Sequence, residues 1–265
     1  MTVKELTEID GEEKPLDRIT DGCGYAGIFR SFCIIGDSLA SGEFEGKLAD
    51  ETKTYHDMYD YAWGAYLGRA CGATVHNFSR GGMTAREFMT SWAEDNGFFD
   101  AKYAAQGYLL ALGVNDLFGC DADKPMGTIA DVHPDKPESN EKSFAGYFGA
   151  IISKYKAIQK NAKFFLLTMP DEQEPTHAER GDAHAKLMYE MAALFENTYV
   201  IDLRAYAPKY DANFKKKFYK HEHMNPMGYL FTGRLVTSYI DYIVRHDPQN
   251  FISLGTVGTD FEDEE

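Results

Sequence analysis

Apolar and polar positions alternate along this chain in long blocks. Five short runs read as strands: 32–35 and 108–112, which are continuously apolar, and 73–78, 163–169 and 199–203, which are apolar with a few polar positions. Most stop at a turn former, namely Gly36, the Gly81-Gly82 pair, Gly113 or Pro170. A short apolar run bounded in this way is read as a strand buried on both faces. Helical spacing fills the intervals. Met58, Tyr61, Ala62, Ala65, Tyr66 and Ala70 share one face of a predicted helix over 57–71, with Gly72 placed as its C-cap. Further helices are predicted over 85–92, 144–160, 183–196 and 226–245. Pro226 suits the first turn of the last one, and Leu230, Phe231, Val236, Ile240, Ile243 and Val244 give it a core face. Strands alternating with helices predict a parallel sheet covered on both faces.

The remaining stretches are polar. Residues 41–56, 171–181 and 204–225 read as loops, and 119–141, with Pro125, Pro134 and Pro137, as a long irregular excursion. Residues 1–28 read as a loose polar arm and 255–265 as an acidic tail. No repeat or linker divides the chain, so one domain over 1–265 is expected. The net charge of −15 argues against nucleic acid or an anionic membrane as a partner, because both demand clustered cations. None of the four cysteines forms a C-x-x-C pair, and Cys33 lies within an apolar run, so reduced thiols are expected. The N-terminus lacks a basic segment leading into an apolar one, and no run has the length of a membrane span. A cytoplasmic location is therefore expected. The sequence leaves oligomeric state open, a homo-oligomer included.

The predicted strands carry chemistry at their C-terminal ends. Ser38 follows the first, Gly82 and Thr84 the second, Asn115 and Asp116 the third, and His223 precedes the last helix. In an open parallel sheet these ends lie along one edge. Acyl transfer needs these parts: a serine nucleophile, a histidine base, and preorganised N–H donors for the tetrahedral oxyanion. A small-molecule ester is the expected partner, with no cofactor.

Gly36-Asp37-Ser38-Leu39, Gly82-x-Thr84, Gly113-x-Asn115-Asp116 and His223 before the last helix resemble the four blocks of the SGNH (GDSL) hydrolases, in that family's order. The resemblance implies a flavodoxin-like three-layer α/β/α sandwich with a central five-stranded parallel sheet. It implies ester hydrolysis without a metal. It makes Ser38 the nucleophile and His223 the base. Asn115 and the backbone N–H groups of Ser38 and Gly82 become the oxyanion hole. One position departs from the family, which usually places an Asp three residues before the histidine. Here that residue is Lys220. Three readings stay open: a backbone carbonyl holds His223 as half of a dyad, a carboxylate from elsewhere replaces the Asp, or the enzyme is weak.

Other candidates have plainer readings. His221 and His223 form an H-x-H pair with no third ligand at a recognisable spacing, so no metal site is expected. Asp131 and His133 read as solvated loop residues, and Arg80 as a member of an ion pair. Asp116 reads as a loop brace. Tyr55, Tyr59, Tyr61, Trp63 and Tyr66 read as core, with some rings available for stacking on a sugar. Small O-acyl esters, acetylated carbohydrates among them, are the expected substrates. Fatty acyl esters or thioesters, and a silent binding protein on the same fold, are the alternatives.

Overall fold

The computed structural model describes residues 9–259 and Phe261. Its first strand is β1 (Ser31–Gly36). A hairpin follows, β2 (Glu43–Lys47) with β3 (Lys53–Asp57), and then β4 (Thr74–Asn77), β5 (Gly107–Ala111), β6 (Lys163–Leu167) and β7 (Thr198–Ile201). A two-residue ribbon, β8 (Tyr219–Lys220) with β9 (His223–Met224), precedes the last helix, Pro226–His246. Five strands form one sheet in the order β4-β1-β5-β6-β7, and every pairing in it is parallel. Counting only sheet strands, this is the 2-1-3-4-5 order of the flavodoxin-like fold, whose switch point lies between β1 and its neighbour β5.

β1 shows why the sheet is buried on both faces. Phe32 and Ile34 join the core under helices Trp63–Cys71 and Pro226–His246. Cys33 and Ile35 join the opposite core, under residues 85–95, Phe144–Ile158 and Pro175–Leu194. Successive strand residues face opposite sides, so a strand between two helical layers must be apolar throughout. The two layers and the sheet make the expected α/β/α sandwich.

Four expectations need correction. Residues 41–56 are not a loop: the β2–β3 hairpin occupies them, after a helical turn at Ser38–Ser41. The fourth long helix begins at Pro175, not 183, with Pro175 in its first turn and Glu174 capping the Thr176 N–H. Residues 204–225 hold a short helix, Ala212–Phe218, and the β8–β9 ribbon rather than open loop. The described part of the N-terminal arm, from Ile9, is tied down. Arg245 binds Glu13 and Asp241, and the Thr20 N–H donates to Ser238 Oγ at 3.1 Å. Residues 1–8 and most of the acidic tail lie outside the described residues.

Candidate active site

Ser38 stands one residue beyond β1 and opens the helical turn Ser38–Ser41. Asp37 caps that turn, accepting the Leu39 N–H at 3.0 Å. Ser38 sits in the first turn, so its own N–H has no helical partner. Gly36 is needed for close approach rather than for a sharp turn. A Cβ there would lie 2.5 Å from Ala40 Cβ and 3.1 Å from the Ala111 carbonyl. With Gly36 in place, the serine turn rests directly on the end of β5.

Asn115 lies in the helical turn Val114–Leu117 beyond β5, and its Nδ2 donates to the Met83 carbonyl at 3.2 Å. Ser38, Asn115 and His223 all line one cavity of about 350 Å³ at the C-terminal edge of the sheet. Its volume is at the lower end of ligand pockets, which span roughly 300–1,000 Å³. Gly82 is not in the cavity wall. It takes φ 72°, a left-handed turn that suits glycine, and leads to Thr84, which caps the helical residues that follow.

His223 is where the structure adds most. Its Nδ1 is 2.8 Å from Glu45 Oε1, and its Nε2 is 3.0 Å from Glu43 Oε1. Both carboxylates come from β2. Lys220 pairs with His223 across the ribbon but is exposed. Of the three readings of the Lys220 gap, the geometry matches a carboxylate from another element. No spacing in the sequence ties Glu45 to His223; only the missing Asp signalled that something must take its place. Glu222, next to His223, donates its backbone N–H to the same Glu45 oxygen at 2.9 Å.

Acidic groups crowd this edge. Burial pushes Asp37 up to about 7, and Asp116 likewise to about 7. Burial also raises Glu43. For Glu45 burial works in the same direction, but the hydrogen bonds from His223 and Glu222 outweigh it and hold the carboxyl below its ordinary value. Asp116 accepts the Ala85 N–H at 2.8 Å, tying its turn to the segment beyond β4 rather than bracing its own loop. Arg80 pairs with Glu87 at 2.7 Å and lies over the Trp92 ring. Of the aromatic group, Trp63 is buried and lines the cavity, whereas Tyr55, Tyr59 and Tyr61 are exposed.

Residues 34–230 match the family model of the GDSL-like lipase/acylhydrolases. The chain belongs to that family. No curated protein matches it in sequence. Among solved structures, a Lactobacillus plantarum protein superposes with a TM-score of 0.59 at 14% identity, covering 81% of this chain and 97% of that one. A carbohydrate esterase family 2 enzyme with a carbohydrate-binding domain, from Corynascus thermopiles (Myceliophthora fergusii), gives 0.54 at 16% identity, covering 81% of this chain and 66% of that one. A family 3 carbohydrate esterase from Clostridium thermocellum gives 0.51 at 14%, covering 82% and 98%. At such identities the likeness establishes the shared fold. Among the described residues, no helix is long and apolar enough to cross a membrane.

Proposed function

We propose that this GDSL-family hydrolase cleaves small O-acyl esters through an acyl-Ser38 intermediate, and that acetylated carbohydrates are its substrate class. The observation that carries this reading is the convergence of Ser38, Asn115 and His223, from three distant segments, on one cavity at the switch point of the sheet. The fold shared with carbohydrate esterases supports the choice of alcohol.

In the proposed reaction, Ser38 Oγ attacks the acyl carbon while His223 Nε2 takes the hydroxyl proton. The Glu43 carboxylate must first give up its contact with Nε2, leaving that nitrogen to the serine. The ester carbonyl becomes an oxyanion, met by the Ser38 N–H and the free hydrogen of Asn115 Nδ2. Collapse expels the alcohol, which leaves with the proton held on His223. Water then attacks the acyl-serine, again giving its proton to His223. The acid departs and Ser38 recovers its hydrogen.

Hydrolysis of p-nitrophenyl acetate, butyrate and octanoate by the parent, Ser38→Ala and His223→Ala tests the reading. The expected result is turnover by the parent, fastest on the shortest ester, and a loss of several orders of magnitude in both variants. Equal rates in parent and variants would refute it and favour a binding role. A preference for octanoate would favour fatty acyl esters instead. The apolar part of the cavity wall, formed by Leu39, Trp63, Leu167, Tyr210 and Met224, is the feature that would explain such a preference.

A further inference from the structure

The β2–β3 hairpin contains a buried acidic strand, which needs a physical explanation. Along Glu43-Phe44-Glu45 the side chains alternate. Phe44 turns to the rings of Tyr61 and Tyr229, at 5.5 and 5.7 Å between centroids. Glu43 and Glu45, two residues apart on the other face, are 7% and 5% exposed. Two carboxylates removed from water side by side are strongly destabilising unless a positive or hydrogen-bonding group stands between them. The His223 ring is that group, with one nitrogen on each carboxylate.

The strand is also held in register. The buried Tyr229 hydroxyl donates to the Glu43 carbonyl at 2.8 Å, joining β2 to the last helix. Glu45 Oε1 accepts from both His223 Nδ1 and the Glu222 N–H, so a single oxygen fixes the ring and the backbone that carries it. Such a bond to Nδ1 selects the tautomer and orientation of an imidazole whose other nitrogen does the chemistry.

We propose that Glu45 is the positioning residue of His223, supplied by the hairpin after the nucleophile in place of an acid at position 220. The inference rests on His223 being the base of the proposed ester hydrolysis. Glu45 accepts the Nδ1–H, leaves Nε2 to exchange protons, and stabilises the imidazolium that forms when Ser38 gives up its hydrogen.

The test compares the parent with Glu45→Gln and Glu45→Asp. Glutamine keeps an acceptor oxygen for Glu222 and His223 and removes only the charge, so the fold should survive. On p-nitrophenyl acetate, kcat should fall by about 10²–10⁴-fold in Glu45→Gln with KM nearly unchanged, since the interaction grows in the transition state. Glu45→Asp should recover part of that loss. An unchanged kcat in Glu45→Gln, or an effect confined to KM, would overturn the proposal. A second readout does not depend on turnover. In proton NMR the parent should show a far-downfield Nδ1–H resonance, absent in His223→Ala and moved upfield in Glu45→Gln. Its absence from the parent would overturn the proposal too. If the resonance is present but Ser38→Ala costs no activity, the hydrolase reading fails while the Glu45–His223 contact stands.

Discussion

Replacing Asp116 by asparagine should change stability by an amount that depends on pH. The carboxyl is 5% exposed, and burial raises it to about 7. In the unfolded chain it titrates near 3.9. Between these values the folded protein holds a proton that the unfolded chain has released. Stability therefore falls as pH rises through that window. A gap of about three pH units at 1.36 kcal/mol per unit sets a ceiling of about 4 kcal/mol, reached above pH 7. Part of the shift comes from the neighbouring Asp37 charge, so the yield from one substitution is nearer to about 2 kcal/mol. Asparagine retains the oxygen that accepts the Ala85 N–H. Its amide replaces Oδ2, which has no partner. An unpaired buried amide costs about 1–3 kcal/mol, but the protonated acid carries a similar unpaired O–H at low pH. Asp116→Asn should thus be neutral or slightly destabilising at pH 4 and stabilising at pH 8. Urea unfolding of both proteins at intervals between these limits gives the difference directly. A difference that is the same at pH 4 and pH 8 would refute the reasoning.

Two other substitutions test separate parts of the structure. Glu43→Gln removes the charge that competes with Ser38 for His223 Nε2; a charge-assisted bond exceeds a neutral one by about 1 kcal/mol, so kcat on p-nitrophenyl acetate should rise about fivefold, and a tenfold fall would make Glu43 part of the machinery. Arg245→Leu removes the guanidinium that Glu13 and the buried Asp241 share, and should lower stability by about 3–5 kcal/mol in urea unfolding; a loss under 1 kcal/mol would show that the arm is not held by this pair.

How far the sequence could be read depended on which side of each element was apolar. β1, β5 and β6 are buried on both faces, so their runs of apolar residues stand out and fix the alternation that defines the sheet. The order of the strands then brings Ser38 and Asn115 to one edge. The hairpin defeats the same method because its pattern is inverted. Its buried positions are Glu43 and Glu45, and its turn carries Glu51 at φ 66° with no Asn-Gly or Asp-Gly pair to mark it. Helix Ala212–Phe218 is hidden by three consecutive lysines, and the start of Pro175–Leu194 by polar first turns, although Pro175 was a legible start signal.

The inverted hairpin and the unusual histidine loop are two sides of one arrangement. A strand with two inward carboxylates has no stable place against an apolar core. The His223 imidazole, with lysine at position 220, has no acid three residues before it to orient it. Each lacks what the other supplies, and the fold brings them together across 178 positions of sequence separation. The family blocks could place Ser38 and His223 because those residues lie on the shared scaffold. They could not place Glu45, because it belongs to a hairpin that the blocks do not include. This also explains why the acidic strand is tolerated: the destabilisation from burying Glu43 and Glu45 is offset where their charge faces His223. Losing His223 should therefore weaken the packing of β2 as well as the chemistry proposed at Ser38.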